Sequence, residues 1–123
     1  KLRLLELRKK YKNILRNIWN PFDKAYANIL GCNTVNRLYI TPIGDVLVCP
    51  YVHVKIGNVY EQPLKEISDY GFTIKHFHDH SDLCLAGEDH EFVNKCMQHE
   101  GQTIFNPINA KEFFTDEDYV NTN

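Results

Sequence analysis

Four cysteines constrain the fold of this 123-residue sequence more than any other feature. They are Cys32, Cys49, Cys84 and Cys96, separated by 16, 34 and 11 residues. The sequence contains no apolar stretch with the length of a membrane span or the pattern of a signal peptide. We therefore expect a reducing cytoplasm, where cysteines are more often ligands or buried apolar residues than disulfide partners. The four thiols are interpreted as the ligands of one metal or cluster site.

The spacing of these thiols indicates which kind of metal centre they could bind. Structural zinc sites usually place two ligands on one turn through a Cys-x2-Cys pair, which this sequence lacks. A cubane iron–sulfur cluster is wider than a single ion, takes four thiolates and can collect them from dispersed parts of a fold. The cluster is the favoured interpretation, with zinc and the absence of any metal as alternatives. The apolar residues expected to shield the site from water are Val46, Val48, Phe92 and Val93.

The clearest local signal is a β-hairpin. Two β-prone runs, 36–41 and 45–49, flank a turn in which Pro42 suits the first corner and Gly44 the left-handed closing position. Such a hairpin folds Cys49 back towards the start of the first strand.

The other predicted elements alternate short strands and helices. A helix opened by Pro63 should turn Leu64 and Ile67 inward and stop at Gly71. The fold class is therefore predicted as α+β: a small hairpin or short sheet with flanking helices around the cysteines. The remaining predictions are a strand at 51–55, a turn at 56–59, a loop at 72–87 and a helix at 88–97.

The N-terminal segment is basic. Seven of the 14 basic residues fall within the first 16 positions, and apolar residues in the same segment recur at helical spacing. This pattern predicts an amphipathic helix with a solvated basic side, ending near Trp19 before Asn20-Pro21. No aromatic platform or nucleic-acid-binding motif accompanies the charge, so nucleic acid is not an expected partner. A membrane is not expected either, because the sequence has no apolar run long enough to span one.

A second constellation is the histidine segment. In an extended chain, His76, His78 and His80 would project from one face near Asp82, as a divalent-metal or substrate-contact site. The alternative is a set of solvated loop histidines. Acidic residues form no spaced pair suited to acid–base work, and no catalytic residue is predicted.

The pattern Cys32-x11-Gly44-x4-Cys49, followed by Ile56-Gly57-Asn58 and a short helix over 64–67, resembles the opening of a SPASM or twitch domain. This auxiliary-cluster module lies C-terminal to the barrel of many radical S-adenosylmethionine enzymes. The resemblance covers roughly residues 30 to 97. A full SPASM domain carries more cysteines and a second cluster, and its Cys-x2-Cys pair is absent here, so the single-cluster twitch form is the better match.

The resemblance implies one 4Fe–4S cluster that serves electron transfer or substrate positioning in an oxidoreductase. The implied partners are a radical enzyme barrel in the parent chain, a peptide or small-molecule substrate and an external electron donor. The radical-forming Cys-x3-Cys-x2-Cys motif is missing, so S-adenosylmethionine would bind only in the N-terminal barrel. The alternative is a zinc-stabilised structural or binding module without a redox role. The implied ligands are Cys32, Cys49, Cys84 and Cys96, and the expected divisions are a helix and connector (1–29), the cluster domain (30–100) and a C-terminal tail (101–123).

Overall fold

A computed structural model describes residues 6, 7, 9–11, 32 and 34–120. Within them the chain forms a four-stranded sheet in the order β1-β2-β3-β4. The first three strands are antiparallel neighbours, and β4 runs parallel to β3. The strands are β1 (Tyr39–Ile40), β2 (Asp45–Leu47), β3 (Val54–Asn58) and β4 (Ile108–Asn109).

Short helices accompany this sheet, which confirms the predicted α+β class. They are α1 (Leu64–Thr73), α2 (Lys75–His78), α3 (His90–Cys96), α4 (Ala110–Phe113) and a 3-10 turn (Asp116–Asp118). Among the described residues, no helix combines the length and apolarity needed to cross a bilayer.

The predicted hairpin is confirmed. The N–H of Gly44 donates to the carbonyl of Thr41 at 2.9 Å, and the N–H of Thr41 donates to the carbonyl of Asp45 at 2.9 Å. Gly44 has a φ of +84°, the left-handed conformation that side chains disfavour. The turn therefore requires glycine for its backbone conformation.

Asn58 joins the hairpin turn to the end of β3. Its side-chain amide donates to the carbonyl of Ile43 at 3.1 Å and to Asp45 Oδ1 at 3.0 Å. Its side-chain oxygen accepts the N–H of Tyr60 at 2.9 Å. A Cβ on Gly44 would lie 2.7 Å from this oxygen, so Gly44 also leaves the space that Asn58 occupies.

The predictions of a strand at 51–55 and a turn at 56–59 are wrong. The strand runs over Val54–Asn58, and the chain turns only afterwards, where the N–H groups of Glu61 and Gln62 donate to the carbonyl of Asn58. Gly57 lies inside the strand because α1 packs against it: a Cβ there would lie 2.8 Å from Ile67 Cγ1. Its role is close approach between elements, not turn formation.

Gly71 was predicted to stop α1, and this is also wrong. The helix continues to Thr73, and Gly71 is buried within it, where a Cβ would lie 2.9 Å from Ile56 Cδ1. Ile67 points inward as predicted, whereas Leu64 is 45% exposed, which corrects its inward assignment.

The predicted loop at 72–87 contains α2, and the predicted helix at 88–97 is observed as the shorter α3. The side chain of Asp89 accepts the N–H of Phe92 at 2.9 Å and so caps the helix before His90. Phe92 and Cys96 lie on the buried side of α3, as predicted.

The C-terminal segment, for which the sequence predicted only a tail, supplies part of the core. It forms β4, buries Ala110 and Phe114, and pairs Tyr119 with Ile74 in an isolated bridge. The domain boundary after residue 100 stays a prediction. The packed core consists mainly of Val35, Val46, Val48, Val52, Val54, Ile56, Ile67, Ile74, Phe77, Leu85, Phe92, Cys96, Ala110 and Phe114.

Only part of the predicted N-terminal helix falls within the described residues. Residues 6, 7, 9 and 10 are helical, and the N–H of Tyr11 donates to the carbonyl of Leu7 at 2.8 Å. The rest of that helix and the connector to residue 29 lie outside the described part.

Candidate metal centre

A backbone hydrogen bond brings the first cysteine to the loop that carries the third. The N–H of Cys32 donates to the carbonyl of Ser81 at 2.7 Å, three residues before Cys84. The Ser81 hydroxyl in turn bonds the backbone of Leu83, accepting its N–H at 3.2 Å and donating to its carbonyl at 3.0 Å. These bonds hold the start of the described domain against the Cys84 loop.

A second hydrogen bond brings the first cysteine towards the hairpin. The N–H of Val35 donates to the carbonyl of Val48 at 3.0 Å, directly before Cys49. Val35 is buried and has a φ of +65°, a strained conformation for a β-branched residue. Such strain persists only where the surroundings impose it, and it is concentrated at functional sites. The segment after Cys32 is therefore held beside Cys49 at a cost in backbone strain.

Hydrogen-bond donors face the sulfur atoms of Cys32 and Cys49. The buried hydroxyl of Thr34 lies 3.3 Å from Cys32 Sγ. The N–H of Tyr51 donates to Cys49 Sγ at 3.5 Å. Either the hydroxyl or the thiol can donate in the first contact, and once Cys32 is a thiolate only the hydroxyl can. Both contacts then suit a thiolate that is bound to a metal, since hydrogen bonds to the sulfurs tune iron–sulfur centres.

The loop after Cys84 wraps around that residue. Its carbonyl accepts the N–H groups of Gly87, Glu88 and Asp89 at 2.8 to 3.2 Å. Its own N–H donates to Glu88 Oε2 at 3.1 Å. The buried thiol also receives a backbone hydrogen bond from Ala86, which favours its charged form.

The thiols of Cys32, Cys49 and Cys84 influence one another, and we call them the three-cysteine group. Burial raises the pKa of Cys49, the N–H groups of Tyr51 and Val52 lower it, and the charge of Cys32 raises it again. Burial also raises the pKa of Cys84, and the charges of both other thiols raise it further. Three thiolates here would repel one another, and a bound cation or cluster would relieve that repulsion.

Cys96 has different neighbours. Cys96 lies on the inner side of α3 and is 0% exposed, and burial raises the pKa of its thiol to about 12. The charges that also act on it are those of Lys95, which lowers the pKa, and of Asp118 and Asp89, which raise it. No member of the three-cysteine group is among them. Charge thus acts between the thiols of Cys32, Cys49 and Cys84, whereas the charges that act on Cys96 come from other residues. Ligation by each of the four cysteines stays a prediction.

The predicted histidine site is not formed. The expectation of an extended segment is wrong because residues 75–78 are helical, which turns the imidazoles apart. His76 packs into the aromatic core, and a ring nitrogen of His78 lies 2.7 Å from the carbonyl oxygen of Phe72. His80 pairs with Asp82 at 3.8 Å in an exposed position. In the described part of the chain, no group of three or more His, Cys, Asp or Glu residues is arranged to hold a single metal ion.

The sequence pattern does not reveal the groups that face the sulfur atoms, which belong to Thr34, Tyr51 and Ala86. Each lies two residues after a cysteine, and that spacing is the only signal the sequence offers. The donor set fits an iron–sulfur centre: soft thiols, hydrogen bonds to sulfur and a half-buried apolar setting. The fold and this group define a small α+β cluster-binding domain.

Comparison with known families agrees with that class. The SPASM family model, described as an iron–sulfur cluster-binding domain, matches residues 32–98, more than half of the chain. The chain therefore belongs to the SPASM family of iron–sulfur cluster-binding domains. The zinc alternative is not favoured by this match. Searches of curated proteins and of solved structures gave no match.

Proposed function

We propose that this domain carries one 4Fe–4S cluster as an auxiliary centre of a radical S-adenosylmethionine enzyme, where it transfers electrons or positions substrate. The observation that supports this most directly is the match of residues 32–98 to the SPASM family of iron–sulfur cluster-binding domains. The backbone bonds that hold Cys32 to Ser81 and Val35 to Val48 agree with it, since they link the segments that carry three of the cysteines. The family implies the radical enzyme barrel, which would bind S-adenosylmethionine elsewhere in the parent chain.

The residues of this chain would bind the cluster and control its surroundings. Cys32, Cys49 and Cys84 supply thiolates, and their protons leave as the cluster binds. When bound, the cluster supplies a one-electron redox centre. The Thr34 hydroxyl and the Tyr51 N–H stabilise negative charge on sulfur, which favours the reduced state. Burial of Cys84 keeps water from that side of the site.

The partly exposed side of the site suits an electron or substrate partner. Cys32 and Cys49 are only half-buried, and two exposed apolar side chains, Tyr51 and Leu83, lie next to ligand positions. Outer-sphere electron transfer needs such an approach to one edge of the cluster. The partners proposed for this edge are the barrel of the parent chain, a peptide or small-molecule substrate and an external electron donor.

A cytoplasmic location is part of the same proposal. All four cysteines are free thiols, and reduced cysteines and iron–sulfur clusters both suit a reducing compartment.

Anaerobic reconstitution tests cluster binding. The 123-residue chain, incubated with iron and sulfide and then desalted, should be brown and contain about four iron and four acid-labile sulfide per chain. The matched variant Cys49→Ser should lose most of this content while keeping its far-UV circular dichroism. Colourless protein that holds stoichiometric zinc instead would overturn the proposal.

Redox cycling tests electron transfer. The reconstituted chain should take up one electron from a low-potential dye, show the electron paramagnetic resonance (EPR) signal of a reduced cluster, and return to its original absorption on reoxidation. A cluster that cannot be reduced, or that disintegrates during the cycle, would contradict electron transfer and leave substrate positioning as the role.

A further inference from the structure

We propose that the groove between β1 and α1 is a docking site for residues 12–19 of the same chain, the second half of the basic helix predicted from the sequence. These residues lie outside the described part of the chain. Ile14, Leu15 and Ile18, on the apolar side of that helix, would fill the groove. This docking does not depend on the cluster, so it can fail while the proposed function stands.

The groove has an apolar floor that is only partly covered. Its volume is about 490 Å³, and its lining comes from the segment that leads into β1 and from the first two turns of α1. Val35 in the floor is buried and Leu38 is half-buried, whereas Leu64 is 45% exposed. Burial of the apolar surface that is still exposed favours docking. A floor of this kind, between a strand and a helix, suits the apolar side of a second helix.

The polar rim of the groove does not oppose docking. On α1 the rim consists of Lys65, Ser68 and Asp69, and the first and last of these form an exposed ion pair. An exposed pair contributes little to stability, so an incoming Arg16 can replace Lys65 as the partner of Asp69 at little cost. The apolar floor can therefore be covered without burying an unpaired charge.

The chain outside the described part ends close to the groove. Cys32 follows residue 31, and Val35 and Leu38 of the groove come three and six residues later. The 16 residues from 19 to 35 can span about 50 Å when extended. A domain of this size has a radius of gyration of about 12 Å, so the connector is long enough to let the helix reach the groove. The connector also gives the helix a local concentration on the order of millimolar, so a weak contact is sufficient.

The charges of the two parts of the chain are complementary. Residues 1–31 carry eight basic and two acidic side chains, whereas residues 32–123 carry six basic and fourteen acidic ones. The net charges are therefore +6 and −8. Opposite charge favours contact between the N-terminal segment and the domain, and like charge opposes contact between two copies of the domain. The occupant favoured for the groove is thus the chain's own segment.

Docking would also brace the start of the cysteine-bearing region. Val35 lines the groove, and its N–H donates to the carbonyl of Val48 at 3.0 Å. A helix in the groove therefore packs against the residue that joins the segment after Cys32 to the hairpin. The part of the chain that precedes the domain would then be held at a fixed place beside this segment.

Trp19 is the only tryptophan of the chain and lies at the end of the proposed docking helix, so its fluorescence reports on docking. In the apo 123-residue chain under reducing conditions, Trp19 should be protected from acrylamide quenching. Leu64→Lys removes apolar floor and adds a charge that repels the basic helix. The docking equilibrium should fall about tenfold, equivalent to about 1.4 kcal/mol, with a red shift of the emission. The matched control Ile43→Lys changes an exposed apolar residue outside the groove and should leave the emission unchanged.

Trypsin cleavage after Lys12 and Arg16 measures docking without relying on fluorescence. When opening is fast relative to cleavage, the rate follows the population of the open state, so Leu64→Lys should be cut about tenfold faster than the wild type at these sites. Ser68→Arg, which fills the groove from its rim, is a second variant and should have the same effect. Far-UV circular dichroism establishes that both variants are folded.

Two results would overturn the docking site: a solvent-exposed Trp19 in the wild type, or protection that persists in the folded groove variants. Protection that appears only at high protein concentration would place the segment on a second copy and overturn docking within one chain. The iron and sulfide content of the reconstituted chain is measured separately and decides the proposed function. The two proposals can therefore fail independently.

Discussion

Gly44→Ala should destabilise the domain by about 3 kcal/mol, and the reason lies in two separate effects. The first is backbone strain, because Gly44 has a φ of +84°. An alanine in a left-handed conformation costs about 1 kcal/mol after the smaller entropy of its unfolded chain is included. This first effect would act at any glycine with a positive φ.

The second effect is specific to the hairpin turn. The new Cβ would lie 2.5 Å from Tyr60 Cδ2 and 2.7 Å from Asn58 Oδ1. Tyr60 is 78% exposed, so its ring can rotate away from the new Cβ. Asn58 cannot move without weakening its hydrogen bonds to the Ile43 carbonyl and to Asp45 Oδ1. At about 1 kcal/mol for each bond, this adds about 2 kcal/mol.

Gly101→Ala is the matched control for this prediction. Gly101 has a φ of +76°, yet the nearest atom to its Cβ position is 3.9 Å away, so only the strain of about 1 kcal/mol applies. Urea unfolding of the apo proteins, followed by far-UV circular dichroism under reducing conditions, gives both free energies of unfolding. Equal losses for the two variants would refute the role assigned to Asn58. A Tyr60→Ala background that rescues Gly44→Ala would assign the clash to the ring instead.

Three further predictions follow from the sulfur and charge environments. Thr34→Val removes the hydroxyl beside Cys32 Sγ and should make the reduction potential of the cluster more negative, whereas Thr34→Ser should leave it unchanged. An EPR-monitored redox titration measures this potential, and an unchanged value in Thr34→Val would contradict the prediction. The folded apo protein raises the pKa of the Cys96 thiol from 9.0 to about 12 by burial, so this thiol's contribution to stability is complete below pH 9.0 and is lost as the pH rises towards 12. Urea unfolding should show a loss of about 1.4 kcal/mol per pH unit in that window, and Cys96→Val should lack this component of the slope. Burial alone would raise the pKa of Asp118, but its hydrogen bond with Lys95 outweighs burial, so the pKa is lowered. The contribution of Asp118 to stability is therefore present above pH 3.8 and is lost as the pH falls below that value. Asp118→Asn should cost about 1 kcal/mol at pH 7 and flatten the acid side of the stability curve, and a wild-type acid dependence in this variant would disprove the assignment.

Local chemistry explains which elements were predictable from the sequence. The turn at Gly44 depends on the backbone preferences of neighbouring residues, and α3 depends on the spacing of its apolar positions and the Asp89 cap. Both signals lie within a few residues of the feature they specify. The position of Cys49 at the end of the hairpin follows from the same local information.

Glycines show where local information fails. Gly57 and Gly71 were interpreted as a turn and a helix stop, yet each lies within an element at a place where another element approaches closely. A glycine has the same local signature whether it supplies a positive φ or merely space. Likewise, β4 has only two residues and pairs in parallel with β3 from about fifty positions away, and no local pattern specifies that partner.

The sequence by itself determined the chemistry of this domain: four soft thiol donors, a hairpin that presents Cys49, and a family pattern for an iron–sulfur site. Only the tertiary structure decided which of the cysteine-bearing segments lie side by side. The backbone bonds from Cys32 to Ser81 and from Val35 to Val48 link the segments that carry Cys32, Cys49 and Cys84, while the packing of α3 under the C-terminal segment encloses Cys96. Distances between residues far apart in the chain depend on the packing of whole elements, and spacing along the sequence does not encode that packing.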